Sequence, residues 1–208
     1  MLLNVIAIVI GYFLGSIPSA YIIARFRRGI DIRDVGVGNM GAANAFREIG
    51  VGEGIVALIA DMAKGAVAIL TAQYLNVTEL WVLGAGFAAL LGHNFPVFLG
   101  FKGGIGSAVA MGIFLLLAPR EMGIAFGIMA VPLLMTRNAH NVALAISIGF
   151  IFIPLLIWLL QDSAVLVFYS LAIIVFIGFR SMPAPQEFRA ALARLTKRNT
   201  NNHDSDDN

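Results

Sequence analysis

Gly54-Ile-Val-Ala-Leu-Ile-Ala-Asp-Met-Ala-Lys-Gly-Ala-Val-Ala-Ile-Leu-Thr-Ala-Gln-Tyr-Leu75 is apolar throughout except for a few polar side chains, of which only Asp61 and Lys64 are charged. Its length and composition are those of a helix that crosses a bilayer, which takes about 20 residues. Outward from it the pattern repeats. Apolar runs of helical composition cover residues 2–24, 79–99, 105–119, 121–135, 141–160 and 164–180. The fold they predict is an all-α polytopic membrane protein of about seven transmembrane helices. The runs 105–119 and 121–135 are shorter than the ~20 residues of a straight span, so they read as tilted helices, helices covered by neighbours, or one re-entrant pair.

The composition agrees. Of 208 residues, 59% are hydrophobic and 12% charged, against about 25% charged in soluble domains; the mean hydropathy is +0.87. A chain of this size cannot bury so much apolar surface in one water-facing core, so lipid serves as solvent for much of it. The absence of cysteine excludes disulfides, thiolate metal sites and a cysteine nucleophile. No basic residue precedes Arg25, so the first apolar run reads as a retained span rather than a cleaved leader. One transmembrane domain over 1–199 and a disordered polar tail over 200–208 complete the expected organisation.

Basic residues set the orientation. Arg25, Arg27, Arg28, Arg33 and Arg47 fall in the first connection, Lys102 in the third, Arg137 in the fifth, and Arg180, Arg189, Arg194, Lys197 and Arg198 in the tail. The alternate connections hold only Arg120. This asymmetry predicts an N-terminus outside and a C-terminus in the cytoplasm.

Three stretches facing the same side carry chemistry. Asp31-Ile-Arg-Asp-Val-Gly-Val-Gly-Asn-Met-Gly-Ala-Ala-Asn44 with Arg47 combines glycine turns, amides and a cation. Phe101-Lys-Gly-Gly-Ile-Gly106 leads into a helical run from Ser107, an arrangement that lets backbone N–H groups approach an anion. Thr136-Arg137-Asn138-Ala139-His140-Asn141 is a polar connection in which His140 is a candidate base on position alone. The glycines read equally as close helix packing. Asp61 and Lys64, one helical turn apart, read as a functional intramembrane pair or as mutual neutralisation. His93 and Asn94 read as a proton-handling pair or a satisfied helix end. Arg25, Arg27 and Arg28 read as headgroup anchors, and Trp81 and Trp158 as interface anchors.

In order and spacing, five segments resemble one family. They are Gly15-Ser-Ile-Pro-Ser-Ala-Tyr21, Asp31-Ile-Arg33, Gly38-Asn-Met-Gly-Ala-Ala-Asn44, Asp61-Met-Ala-Lys-Gly65 and Gly92-His-Asn-Phe-Pro-Val-Phe-Leu-Gly-Phe-Lys-Gly-Gly104. The family is the bacterial acyl-phosphate-dependent glycerol-3-phosphate acyltransferases (PlsY), and the resemblance spans about residues 11–112. It implies a seven-helix enzyme of the bacterial plasma membrane with its active face in the cytoplasm. Such an enzyme would move a fatty acyl group from acyl phosphate to the 1-hydroxyl of glycerol-3-phosphate, giving lysophosphatidic acid. Carried over by motif, Asn39, Arg47 and His93 would be catalytic. Gly38, Gly41, Asn44, Lys102, Gly103, Gly104, Gly106, Thr136 and Arg137 would hold phosphate. Neither metal nor cofactor is implied, and the partners would be the two substrates and membrane lipid, with no nucleic acid and no stable protein partner.

The sequence departs from the family pattern at three places. Val37 stands where the family has serine, Ile105 where it has lysine, and Pro185-Gln-Glu-Phe188 keeps only Glu187 of a His-Arg-Glu-Asn type segment. The alternative reading is therefore a catalytically silent or acceptor-shifted homologue that binds lipid or a partner.

Overall fold

The computed structural model describes residues 1–136 and 142–182. These form nine helices: α1 (Leu2–Ser16), α2 (Ser19–Arg28), α3 (Ala42–Glu48), α4 (Val51–Tyr74), α5 (Glu79–Asn94), α6 (Ser107–Leu117), α7 (Pro119–Thr136), α8 (Val142–Gln161) and α9 (Ala164–Ser181). Two 3-10 turns, Ile32–Asp34 and Val97–Leu99, lie in the connections, and no strand occurs among the described residues. The chain forms two units, residues 1–177 and 178–208. In the second, the described residues finish α9, where Ser181 Oγ donates to the Gly178 carbonyl at 2.8 Å. The expected boundary at 199/200 lies outside the described residues.

Every apolar run of the sequence carries a helix, with two differences. The first run is broken. Pro18 has no N–H to continue the ladder, so α1 stops at Ser16 and α2 restarts at Ser19. The first connection, expected as loop, contains the short helix α3, built from the Ala-Ala-Asn-Ala-Phe-Arg-Glu run after Gly41; alanine and the straight-chain residues favour helix. Among the described residues, four stretches are long and apolar enough to cross a bilayer: Leu2–Arg28, Val51–Tyr74, Glu79–Leu99 and Ala164–Ser181. Helix α6 has 11 residues, about 16 Å at 1.5 Å per residue, too short to cross alone. Its residues Val109 through Phe114 are all buried, so protein rather than lipid surrounds it.

Helix α5 lies at the centre, packed by α1, α4 and α6. Lipid tails are as apolar as leucine, so helices associate in a bilayer through close packing, for which small residues are needed. Along α1 and α5, a Cβ on Gly15 would strike the Ala89 carbonyl, and one on Gly92 the Tyr12 carbonyl. Helices α4 and α6 repeat the device, with Gly65 against the Val109 carbonyl and Gly112 against the Met62 carbonyl. Hydroxyls add cross-links: Tyr12 donates to the Phe95 carbonyl at 2.8 Å and Tyr169 to the Leu83 carbonyl at 2.9 Å. Large apolar side chains point outward instead, among them Ile59, Leu70, Ile151, Trp158 and Phe168. That surface suits lipid.

A second, smaller apolar core of Ala20, Ala24, Ile32, Met40, Ala42, Ala45, Ile49 and Ala57 lies under the first connection. It gives that loop a floor of its own.

Gly112→Ala is expected to cost about 1–3 kcal/mol by overpacking, because its Cβ meets backbone that cannot rotate away. Gly123, also helical, has open space around its Cβ position, so Gly123→Ala is expected to be neutral or to add up to about 1 kcal/mol. Thermal unfolding of the two variants in detergent distinguishes them.

Candidate functional site

The first loop turns around one side chain. Asn44, fully buried, donates from Nδ2 to the carbonyls of Ile32, Val35 and Asn39 at 3.0, 3.1 and 3.0 Å. Its Oδ1 accepts the Val37 N–H at 3.1 Å. Gly36 and Gly38 take positive φ values of 61° and 69°, which L side chains rarely adopt. Asn39 Oδ1 accepts the Gly41 N–H at 2.9 Å in the turn that precedes α3. The sequence suggests that Asn44 faces an anion. The structure turns it inward, where its amide shapes the loop; a buried amide does better bonded to backbone carbonyls than left without partners.

The second loop is tied to the end of α5. Gly103 N–H donates to the Asn94 carbonyl at 3.2 Å and Gly104 N–H to the His93 carbonyl at 3.1 Å. Asn94, also fully buried, donates from Nδ2 to the Ile105 carbonyl at 3.1 Å. These two glycine amides therefore fasten the loop to α5, unlike the expectation that they meet an anion. Beyond them the chain enters α6 through Gly106, at φ +96°, with no side chain capping the helix. The first-turn amides of an uncapped helix have no intrahelical partners, and the helix dipole makes them a seat for negative charge.

Arg33 joins the loops. Its guanidinium makes a bidentate pair with Asp31, Nη2 to Oδ2 at 2.7 Å and Nε to Oδ1 at 3.0 Å, while Nη1 donates to the Leu99 carbonyl at 3.2 Å. Leu99 in turn packs on the small apolar core under the first loop. Arg25 and Arg33 both lie 5.5 Å from the Tyr21 ring centre. The Arg33 hydrogen bonds hold the Asp31 carboxyl down at about 2, from an ordinary 3.8.

Most cations of this face are occupied. Arg27 pairs with Glu53 at 3.2 Å, Arg28 donates to the Ile49 carbonyl at 2.9 Å, and Arg25 to Tyr21 and the Gly29 carbonyl. Arg47, in the last turn of α3, and Lys102 are exposed, and neither has a hydrogen bond or ion pair among the described residues. The sequence singled out both.

His93 lies beneath the second loop and is 4% exposed. A Cβ on Gly104 would strike its Nε2. On its other edge, Nδ1 is 3.3 Å from Lys64 Nζ. Lys64 is 2.7 Å from Asp61 Oδ1 and donates to the Ile17 carbonyl at 2.6 Å. Thr136 is the last residue of α7; Arg137 and His140 lie outside the described residues, as do Pro185, Glu187 and Phe188. Asn39, Gly41 and Arg47 share the first loop and α3, and Lys102, Gly103, Gly104 and Gly106 the second loop. Arg33 and Asp31, which join these sets, had no signal in the sequence beyond their charge and their place in the motif.

Fold and site together describe a polytopic helical membrane protein with two glycine loops tied together and two uncommitted cations beside them. The family profile described as glycerol-3-phosphate acyltransferase matches residues 5–185. Glycerol-3-phosphate acyltransferase 1 of Dehalococcoides mccartyi is 43% identical over 180 residues, covering 84% of this chain and 85% of the relative. The glycerol-3-phosphate acyltransferase of Geotalea daltonii is 36% identical over 195 residues, 94% of this chain and 98% of the relative. The crystal structure of PlsY (YgiH), described as an integral membrane glycerol 3-phosphate acyltransferase in its glycerol 3-phosphate form, superposes with a TM-score of 0.77 at 30% identity. That match covers 93% of this chain and 92% of the solved one. The chain belongs to the glycerol-3-phosphate acyltransferase family.

Asn44→Ala leaves the Val37 N–H and the Ile32 and Asn39 carbonyls without their partner, while the Val35 carbonyl keeps the Gly38 N–H, and is expected to cost about 1–3 kcal/mol, read as a lower unfolding temperature. The Asp31–Arg33 pair is expected to follow pH with a definite sign. A depressed carboxyl adds stability above its unfolded pKa of 3.8 and loses it as pH falls through about 2. The stability difference between wild type and Asp31→Asn is therefore expected to be constant at neutral and mildly acid pH. It shrinks only between about pH 4 and pH 2.

Proposed function

We propose that this protein transfers a fatty acyl group from acyl phosphate to the 1-hydroxyl of glycerol-3-phosphate, releasing inorganic phosphate and lysophosphatidic acid. The observation that carries this reading is the pairing of uncommitted Arg47 and Lys102 with two glycine loops that Arg33 fastens together through the Leu99 carbonyl. Both substrates are phosphate monoesters or anhydrides, and their charge matches two free cations and the uncapped start of α6. Phosphate is a good leaving group, so orientation and charge stabilisation can supply much of the acceleration. The solved relative's glycerol 3-phosphate form supports glycerol-3-phosphate as acceptor.

The wider reading belongs to the same proposal. The helices cross a bacterial plasma membrane seven times, α6 being covered by its neighbours. The N-terminus lies outside and the glycine loops in the cytoplasm, where the basic residues gather. Asn39, Arg47 and Lys102 touch substrate in this reading, with Gly38, Gly41 and Gly106 allowing its close approach, and Thr136 and Arg137 of the fifth connection add to the phosphate seat.

A second reading, an acceptor-shifted or silent homologue, draws on Val37 and Ile105. Val37 is exposed, and only its backbone N–H is bound to the loop. Ile105 is fixed through its carbonyl. Either side chain can thus change without refolding its loop.

Detergent-purified protein given palmitoyl phosphate and labelled glycerol-3-phosphate is expected to form lysophosphatidic acid, and Arg47→Ala to lose that activity. Turnover restricted to other alcohols identifies a shifted acceptor. No turnover until Val37→Ser and Ile105→Lys are introduced together identifies the silent homologue. In an active wild type, Ile105→Lys alone is expected to lower the KM for glycerol-3-phosphate about 10- to 100-fold, since a charge-assisted contact is worth roughly 1.5–3 kcal/mol.

A further inference from the structure

The break between α1 and α2, the middle of α4 and the end of α5 meet at one buried group. Lys64 is 6% exposed, Asp61 1% and His93 4%. An ammonium has three donors, and here the group meets three elements. One goes to the Ile17 carbonyl at 2.6 Å, where the chain breaks at Pro18, with the Gly15 carbonyl at 3.4 Å beside it. Another reaches His93 Nδ1 at 3.3 Å on α5, and Asp61 Oδ1 on Lys64's own helix pairs with the charge at 2.7 Å.

With Lys64 as an ammonium, the distances assign the proton of a neutral imidazole. Asp61 Oδ1 lies 3.8 Å from His93 Nδ1, too far for a hydrogen bond. Lys64 is the nearer partner and can only donate, so Nδ1 accepts and the ring carries its proton on Nε2. Nε2 is the atom that backs Gly104, and the His93 carbonyl accepts the Gly104 N–H at 3.1 Å. A line of direct contacts thus runs from the helix break through Lys64 and His93 to the second glycine loop.

We propose that Lys64 is a positioning residue for the phosphate-holding loop, acting through His93: it sets the imidazole's tautomer and rotation, and the imidazole sets the height of Gly103 and Gly104. Asp61 neutralises Lys64 and holds its amine in place. The idea rests on the acyltransferase reading for its effect on substrate, but not for its effect on the loop.

A plain Lys64→Met change leaves the Asp61 carboxylate buried without a cation, and a bundle that fails to assemble says nothing of positioning. The informative variant is Asp61→Asn with Lys64→Met, which removes both charges at similar volume. His93→Gln, which keeps the Asp61–Lys64 pair, serves if the double variant does not fold. Phe150→Ala, in the buried core beside Phe114, provides a loss of stability remote from the loop.

Hydrogen exchange of the peptide spanning residues 101–106, measured without substrate, reads the loop directly. The double variant is expected to exchange there at least about tenfold faster while the rest of the bundle stays protected. Its KM for glycerol-3-phosphate rises about tenfold or more, with a smaller fall in kcat. Phe150→Ala shifts neither. Exchange at 101–106 that is unchanged, or that rises only as it does in Phe150→Ala, overturns the proposal. A wild type that turns over no glycerol-3-phosphate but shows the local exchange response removes the substrate assignment alone and leaves the positioning role standing.

Discussion

Within a membrane no water waits to satisfy a backbone carbonyl that has left its helix, and each such group costs several kcal/mol if nothing replaces it. Pro18 creates that problem in the first run, where α1 ends and α2 begins. The Lys64 ammonium donates to the Ile17 carbonyl, which also accepts the Ser19 N–H at 3.1 Å. Its charge is then balanced by Asp61 one turn earlier on α4. The kink lets α1 continue along α5 while α2 turns to join Ile32, Ala42 and Ala45 in the apolar floor of the first loop.

Small residues do the complementary work. Because α1 and α5 touch through Gly15 and Gly92, and α4 and α6 through Gly65 and Gly112, the four helices meet at backbone distance. Such contact resists sliding better than meshed long side chains, whose rotamers can adapt. It also explains why α6 can be short. Enclosed on its buried face from Val109 to Phe114, it needs no lipid-spanning length, and its uncapped N-terminus is delivered to the loop face.

The site follows one rule: side chains that shape the loops are buried and donate to loop carbonyls, and those left for a ligand are exposed and unbonded. Asn44 and Asn94 belong to the first kind, Arg47 and Lys102 to the second. The glycines divide in the same way. Gly103 and Gly104 give their amides to α5, whereas Gly106 opens the uncapped helix. Charge alone does not separate these roles, since Arg33 resembles Arg47 in sequence and yet is bound to Asp31 and the Leu99 carbonyl.

The helical class, the apolar runs and the two glycine loops are legible in the residues alone, because hydrophobic length and glycine-rich spacing are local properties. The motifs from Gly15 to Gly104 also carried the family. That Asn44 faces inward, that α3 forms a helix within the loop, and that Lys64 reaches both the Pro18 break and His93 emerges only from the folded packing. Those outcomes depend on which carbonyls are left over once the helices pack. Residues 47 positions apart, such as Ile17 and Lys64, share no local pattern from which their meeting could be read.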